Sequence, residues 1–215
     1  TFTFVILFYV NYFQKVFFQL VQWIWSKQYP KHPLMPLEPR HVAHCMVLAN
    51  RKELLKLLPK NAVIAELGVE NGIFSKDIIN GCTPAKLHLV DLWPTESIQK
   101  RCRENVGTEE AVEFHKMNSI DFLVSQPENS LDMVYIDTDH TYNTTKLELE
   151  AAALAVKPSG LICGHDYTSI AYAGLRRYGV VEAVNTFCVK YNYEFLYLTS
   201  ETNRHVSFAL KKREV

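Results

Sequence analysis

From Glu38 onward, apolar residues recur in two alternating patterns. Short unbroken runs, "AVIAEL" (62–67), "KLHLVDL" (86–92), "AVEFHKM" (111–117), "LDMVYID" (131–137) and "GLICGHD" (160–166), are bounded by turn residues and read as strands buried on both faces. Between them lie segments with helical spacing: His41–Leu58, which stops at Pro59, then "FSKDII" (74–79), Glu96–Val106 and "NTTKLELEAAALAV" (143–156). This alternation predicts right-handed crossovers and a doubly wound, mostly parallel α/β sheet with helices on both faces. Ligands of such sheets bind outside the carboxyl ends of the strands, so the polar residues that end each strand are the ones to read.

The N-terminal 37 residues depart from the pattern. "TFTFVILFYVNYFQKVFFQLVQWIW" is mostly aliphatic or aromatic, with Lys15 as its only charge. Asn11, Gln14, Gln19 and Gln22 interrupt it, and the run before Lys15 is shorter than the ~20 apolar residues of a spanning helix. No basic region precedes it and no small-residue cleavage site follows it, so it does not read as a signal peptide. It reads as an aromatic-rich helical extension that lies on a membrane surface through residues 1–25, covers a substrate, seals a homo-oligomer or simply packs into the core. "YPKHPLMPLEPR" (29–40) holds four prolines and predicts an extended linker, which puts the boundary between an extension, 1–37, and a folded domain, 38–215.

Composition narrows the function. A chain of 215 residues, 48% hydrophobic, suffices for one full core. Lys plus Arg equals Asp plus Glu at 23 each, which removes the basic footprint of a nucleic-acid partner. Cys45, Cys82, Cys102, Cys163 and Cys188 are odd in number and form no C-x-x-C pair, as expected of reduced thiols in the cytoplasm. His41, His44 and Cys45 approach metal-ligand spacing, but no second cluster follows and packing is the better reading. Asn143-Thr144-Thr145 matches a glycosylation sequon, with nothing else arguing for secretion.

The strand ends carry the chemistry. The first closes in "AELGVENG", where Glu66, Gly68 and Gly72 form a turn into a helix: glycine admits close approach to the backbone and the helix N-terminus offers N–H groups to an anion. The second ends at Asp91, which suits the two hydroxyls of a ribose or the cap of the next helix. Asn118 and Ser119, after the third, suit an adenine edge or a cap. The fourth and fifth end in Asp137 and in His165-Asp166, an oxygen-rich, incomplete set suited to Mg2+, with His165 serving either the ion or strand-end backbone.

These motifs, above all "DMVYIDTDHTYNTTKLELEAAALAVKPSGLICGHDYTS" (132–169), together with "AELGVENGIFSKDII", "KLHLVDLW", "YGVVEAVNTF" and "HVSFALKK", resemble the class I S-adenosylmethionine-dependent methyltransferases, in particular a small bacterial group related to sugar and macrolide O-methyltransferases. The similarity runs from about Asn61 to Lys212. It implies a Rossmann-like, seven-stranded sheet closing in an antiparallel hairpin. It also implies donor contacts for the methionine part at Glu66, Gly68 and Gly72, for the ribose at Asp91 and for the adenine at Asn118 or Ser119, with Asp137 in the cofactor site. In the metal-dependent relatives, positions matching Asp137, His165 and Asp166 surround a divalent ion, which leaves Asp139 or His140 as the general base. Ser159 and Thr138 stand where the family often has glycine, and Glu70 and Asn71 fill its glycine-rich loop. The expected reaction is O-methylation of a small-molecule acceptor. Three rivals remain: a non-catalytic, membrane-associated scaffold, a nicotinamide-dependent oxidoreductase, and a metal-free methyltransferase with His140 or His165 as base. The acceptor contacts are expected in the N-terminal segment and in "YTSIAYAGLRRYG" (167–179), where Arg176 and Arg177 serve as an anion clamp or as solvated surface.

Overall fold

A computed structural model describes residues 2–28, 32–171, 176–201 and 205–214 of the chain. The chain divides into two compact units, 1–33 and 34–215. The first contains α1 (Phe2–Gln28), a helix of 27 residues whose large apolar side chains between Tyr12 and Ile24, Phe17 and Trp23 among them, are exposed. Among the described residues no helix is long and apolar enough to cross a membrane. Residues 29–31 of the proline-rich linker lie outside the described residues, and the rest runs extended into a single 3-10 turn, Pro39–His41.

The second unit is an eight-stranded, mostly parallel sheet. In chain order its elements are β1 (Met46–Leu48), α2 (Arg51–Leu57), β2 (Val63–Leu67), α3 (Ile73–Cys82), β3 (Lys86–Asp91), α4 (Glu96–Val106), β4 (Val112–Lys116), α5 (Ser119–Ser125), β5 (Leu131–Ile136), α6 (Tyr142–Ala155) and β6 (Val156–Gly164). They continue with a small ribbon, β7 (Ile170–Ala171) and β8 (Arg176–Arg177), then α7 (Val180–Tyr191), β9 (Tyr193–Thr199) and β10 (Phe208–Lys212). The strand order is β1-β9-β10-β6-β5-β2-β3-β4, with β10 antiparallel to both neighbours. The doubly wound sheet and the closing hairpin stand as expected. The eighth strand, β1, was not expected.

That strand corrects the helix read over His41–Leu58. The apolar spacing there is shared by β1, which pairs in parallel with β9, and by α2, which starts only where the Asn50 side chain accepts the Lys52 and Glu53 amides at 3.0 and 3.1 Å. His41 is buried and its Nδ1 accepts the Glu38 amide at 2.9 Å, while His44 meets Glu194 at 3.2 Å, so neither faces Cys45 as a ligand set.

Both faces of the sheet are covered, which is why its strands read as continuous apolar runs. On β2 and β5, Ile64, Met133 and Tyr135 pack with α2, α3 and α4 on one side, while Ala65, Leu67, Val134 and Ile136 pack with α5, α6 and α7 on the other. The order reverses between β5 and β2, and the carboxyl ends of β2, β3, β4 and β5 open there onto one cleft.

Candidate active site

The cleft encloses about 740 Å3, and its wall includes Glu66, Gly68, Asp91, Asn118, Ser119, Asp137, Asp139 and His140. Eight residues singled out from sequence thus meet in one place. Gly72 does not line it. With φ at +77° it starts α3, and a Cβ there would stand 2.9 Å from Cys102 Sγ. Gly68 has the stricter requirement: φ is +85° and a Cβ would stand 2.0 Å from the Asp137 carbonyl oxygen. This contact lets β2 and β5 end side by side.

The glycine-poor loop after β2 is held from β3. Asp91 accepts the Glu70 amide at 2.8 Å and the Trp93 amide at 2.7 Å, and the buried Trp93 indole donates to the Glu70 carbonyl at 2.9 Å. Glu70 itself adopts the left-handed conformation, with φ at 51°. Asp91 is therefore not the cap of α4; that role belongs to Thr95, which accepts the Ile98 amide. Beneath the loop Glu66 is buried, its Oε2 has no hydrogen-bond partner, and burial pushes its carboxyl up to about 8.

Asn118 caps α5, accepting the Ile120 amide at 2.8 Å. Ser119 donates to the buried Glu148 of α6 at 2.5 Å, and Thr138 donates to the same carboxyl at 2.9 Å. Glu148 thereby ties the turn after β4 to the turn after β5, and burial pushes it up to about 7. Asp139 is exposed and serves the entry to α6, accepting the Thr141 amide and the Thr144 hydroxyl, both at 2.9 Å, while Thr141 is the cap.

His140 stands apart from these helix-capping residues. Its Nε2 lies 3.1 Å from Asp137 Oδ1 and 2.7 Å from Asp166 Oδ2, and its ring stacks on Tyr178 with centroids 4.5 Å apart. Burial disfavours the charged ring, but the two carboxylates prevail and raise its pKa to about 9. Asp166 is held well below the usual carboxylate range by His140 and His165, despite its burial. His165 Nδ1 is 3.4 Å from Asp166 and 3.7 Å from Asp137, and His205 Nδ1 also meets Asp166. His140 and Asp166 both adopt positive φ, 62° and 58°, a strain that the cluster's contacts offset.

Asp137, His140 and Asp166 bring ligand atoms within 4.8 Å of one another, and the expected His165 lies beside the same two carboxylates, its Nδ1 3.7 Å from Asp137 and 3.4 Å from Asp166. An imidazole between two carboxylates, with further imidazoles on Asp166, is not the oxygen set that Mg2+ takes. The His140 imidazolium already balances the carboxylates, so these residues do not fit Mg2+ and no step is routed through it.

Sequence reasoning missed Glu148, His205, Tyr178 and Arg51, which lines the cleft with its guanidinium 4.3 Å from the Phe74 ring centroid. Glu148 had a signal, since it shares the buried stripe of α6 with Thr145, Leu149 and Ala152. In the segment 167–179, residues 172–175 and the Arg176 side chain lie outside the described residues. Arg177 pairs with Glu182 at 3.1 Å.

Residues 65–167 match the family model described as a methyltransferase domain. The fold is shared with the N-methyltransferase NodS from Bradyrhizobium japonicum WM9 at 13% identity and a TM-score of 0.55, over 76% of this chain and 93% of that one. TYW2 from P. horikoshii in complex with MeSAdo is similar at 17% identity and a TM-score of 0.53, over 82% of this chain and 64% of its own. A spermidine synthase from Thermotoga maritima aligns at 14% identity and a TM-score of 0.54, over 78% of this chain and 58% of its own. At these identities the likeness shows the fold, and the inclusion of a synthase makes the domain match the more specific finding. No curated relative matches the chain. The domain match over residues 65–167 and the strand order together support one class, a methyltransferase dependent on S-adenosylmethionine.

Proposed function

We propose that the chain transfers the methyl group of S-adenosylmethionine to a hydroxyl of a small polar acceptor, with His140 accepting the hydroxyl proton. The observation that carries this is His140 in the cleft wall with Nε2 between two carboxylates, which makes Nδ1 the nitrogen to take up a proton.

The donor's ammonium group supplies the partner that Glu66 Oε2 lacks and favours its ionised form. Gly68 admits the donor against the backbone, and Asp91 has lone pairs left for ribose hydroxyls after accepting two amides. The turn at Met117–Ile120 flanks the base. Transfer is an in-line displacement: the acceptor oxygen forms a bond to the methyl carbon, the carbon–sulfur bond breaks, and neutral S-adenosylhomocysteine leaves. The hydroxyl proton passes to Nδ1, and the imidazolium that forms is stabilised by Asp137 and Asp166. Asp139, with both oxygens committed to α6, is not that base.

The groups acting on His140 are Asp137, Asp166, Tyr178 and Glu148, of which the first two dominate, while His165 and His205 contact Asp166. Because its pKa is raised to about 9, the neutral, reactive ring becomes more populated as pH rises. The test follows release of S-adenosylhomocysteine over a panel of sugars, glycosylated lactones and amines. Release with hydroxyl acceptors, increasing from pH 7 to 9 and about 100-fold or more slower in His140→Asn, is expected. Transfer to amines alone, or an unaffected variant, contradicts the proposal; donor binding with no transfer favours the non-catalytic scaffold.

The exposed aromatic side chains of α1 favour a further reading, of location rather than chemistry: the helix lies at a lipid surface. Co-sedimentation of the full chain with phosphatidylglycerol vesicles is expected, and should fall several-fold in a Phe17→Ser, Trp23→Ser double variant. Equal sedimentation of both proteins contradicts it.

A further inference from the structure

A second cluster of titratable groups lies outside the cleft, on the outer two strands of the sheet. His88 of β3 is directly opposite Glu113 of β4, and His115 lies two residues along from Glu113, on the same face. His88 Nδ1 is 2.9 Å from His115 Nε2; Glu113 Oε2 is 3.5 Å from the first nitrogen and 3.7 Å from the second. These three separations leave a point about 2.0 Å from all three atoms, the distance at which zinc is bound by histidine nitrogen and carboxylate oxygen.

The surroundings prepare the same atoms. Lys86 holds the other oxygen of Glu113, Oε1, at 2.8 Å and keeps the carboxyl ionised, its pKa below the usual range. The Phe122 ring packs against both imidazoles, with centroids 5.4 and 5.0 Å away. Burial pulls the pKa of His88 down to about 4 and lowers that of His115, which favours the neutral rings that bind metal. A direct hydrogen bond between two neutral imidazoles accounts for the short contact between them, but not for a carboxylate aimed at both nitrogens.

We propose that His88, Glu113 and His115 bind a divalent transition metal of the Zn2+ class, with water at the open fourth position. Two imidazoles and one carboxylate suit zinc, and they exclude the hard ions that prefer oxygen alone. A bound ion clamps the edge strand β4 to β3, and so steadies the strand whose carboxyl end leads into Asn118 and Ser119. None of the three residues lines the cleft, so the site is separate from the methyl-transfer chemistry.

The test is equilibrium dialysis of the full chain against Zn2+ with metal analysis, in parallel with thermal unfolding. Glu113 is exposed and His115 is partly so, which makes Glu113→Gln and His115→Ala compatible with folding; circular dichroism verifies it. His140→Asn controls for the cleft cluster. Expected is one equivalent of zinc in the parent and in His140→Asn, binding at least tenfold weaker in both edge variants, and a zinc-dependent rise in melting temperature that His115→Ala lacks. No binding by the parent, meaning a hydrogen-bonded histidine pair only, overturns the proposal. Binding that both edge variants keep, or that His140→Asn abolishes, overturns it equally.

Discussion

Gly68 shows how a single backbone position fixes the site. Its Cβ would stand 2.0 Å from the Asp137 carbonyl oxygen, an atom of the main chain that cannot rotate aside. Gly68→Ala is expected to cost about 3 kcal/mol, from left-handed strain together with overpacking. The two strand ends would also part and donor affinity would fall. Urea unfolding beside donor titration checks both, and a stability change under 1 kcal/mol would show that β2 and β5 can separate freely. At this scale the sequence was most legible where backbone geometry demands a residue type, as at Gly68, or where a carboxylate ends a strand, as at Asp137 and Asp166. It was least legible where function depends on tertiary neighbours. His205 is 39 residues from Asp166, and no local pattern announces that they meet. Asp139 and His140 were equivalent candidates on paper; they differ because one points into the helix entry and the other between two carboxylates.

Among the elements, α6 does more than cover the sheet. Its buried Glu148 holds Ser119 and Thr138 at once, joining two cleft-lining turns through one carboxyl. Its pKa, about 7 in the fold, exceeds the ordinary ~4.3 of an unfolded chain. A raised acid stabilises most at low pH, and that contribution fades as pH climbs from about 4.3 through 7. Gln at this position is close in shape and neutral throughout. Glu148→Gln should match the parent near pH 5 and exceed it by about 1–3 kcal/mol at pH 8, read by urea unfolding at both values. Parallel pH dependence in the two proteins would place the ionisation elsewhere. The stretch His41–Leu58 teaches the converse lesson. Its apolar spacing fits one helix, yet Asn50 caps a new helix in the middle and the residues before it join β9, a partner about 150 residues away. Sheet edges are recruited by distant pairing, which local periodicity does not record.

For the whole molecule, the doubly wound order explains why residues from four separate strands form one cleft. Alternating strand and helix patterns were enough to foresee that sheet, because burial on both faces writes itself into the strands as apolar runs. The unit 1–33 obeys different rules: α1 satisfies its backbone through the hydrogen bonds of its own helix. The central claim is that the cleft binds S-adenosylmethionine through β2 and β3, and calorimetric titration of the full chain with S-adenosylmethionine tests it most directly, with Asp91→Ala as the comparison. One equivalent bound with micromolar affinity, weakened at least tenfold by the substitution, is the predicted result. A folded protein that takes up no donor, or an Asp91→Ala variant that binds it equally well, would contradict the account.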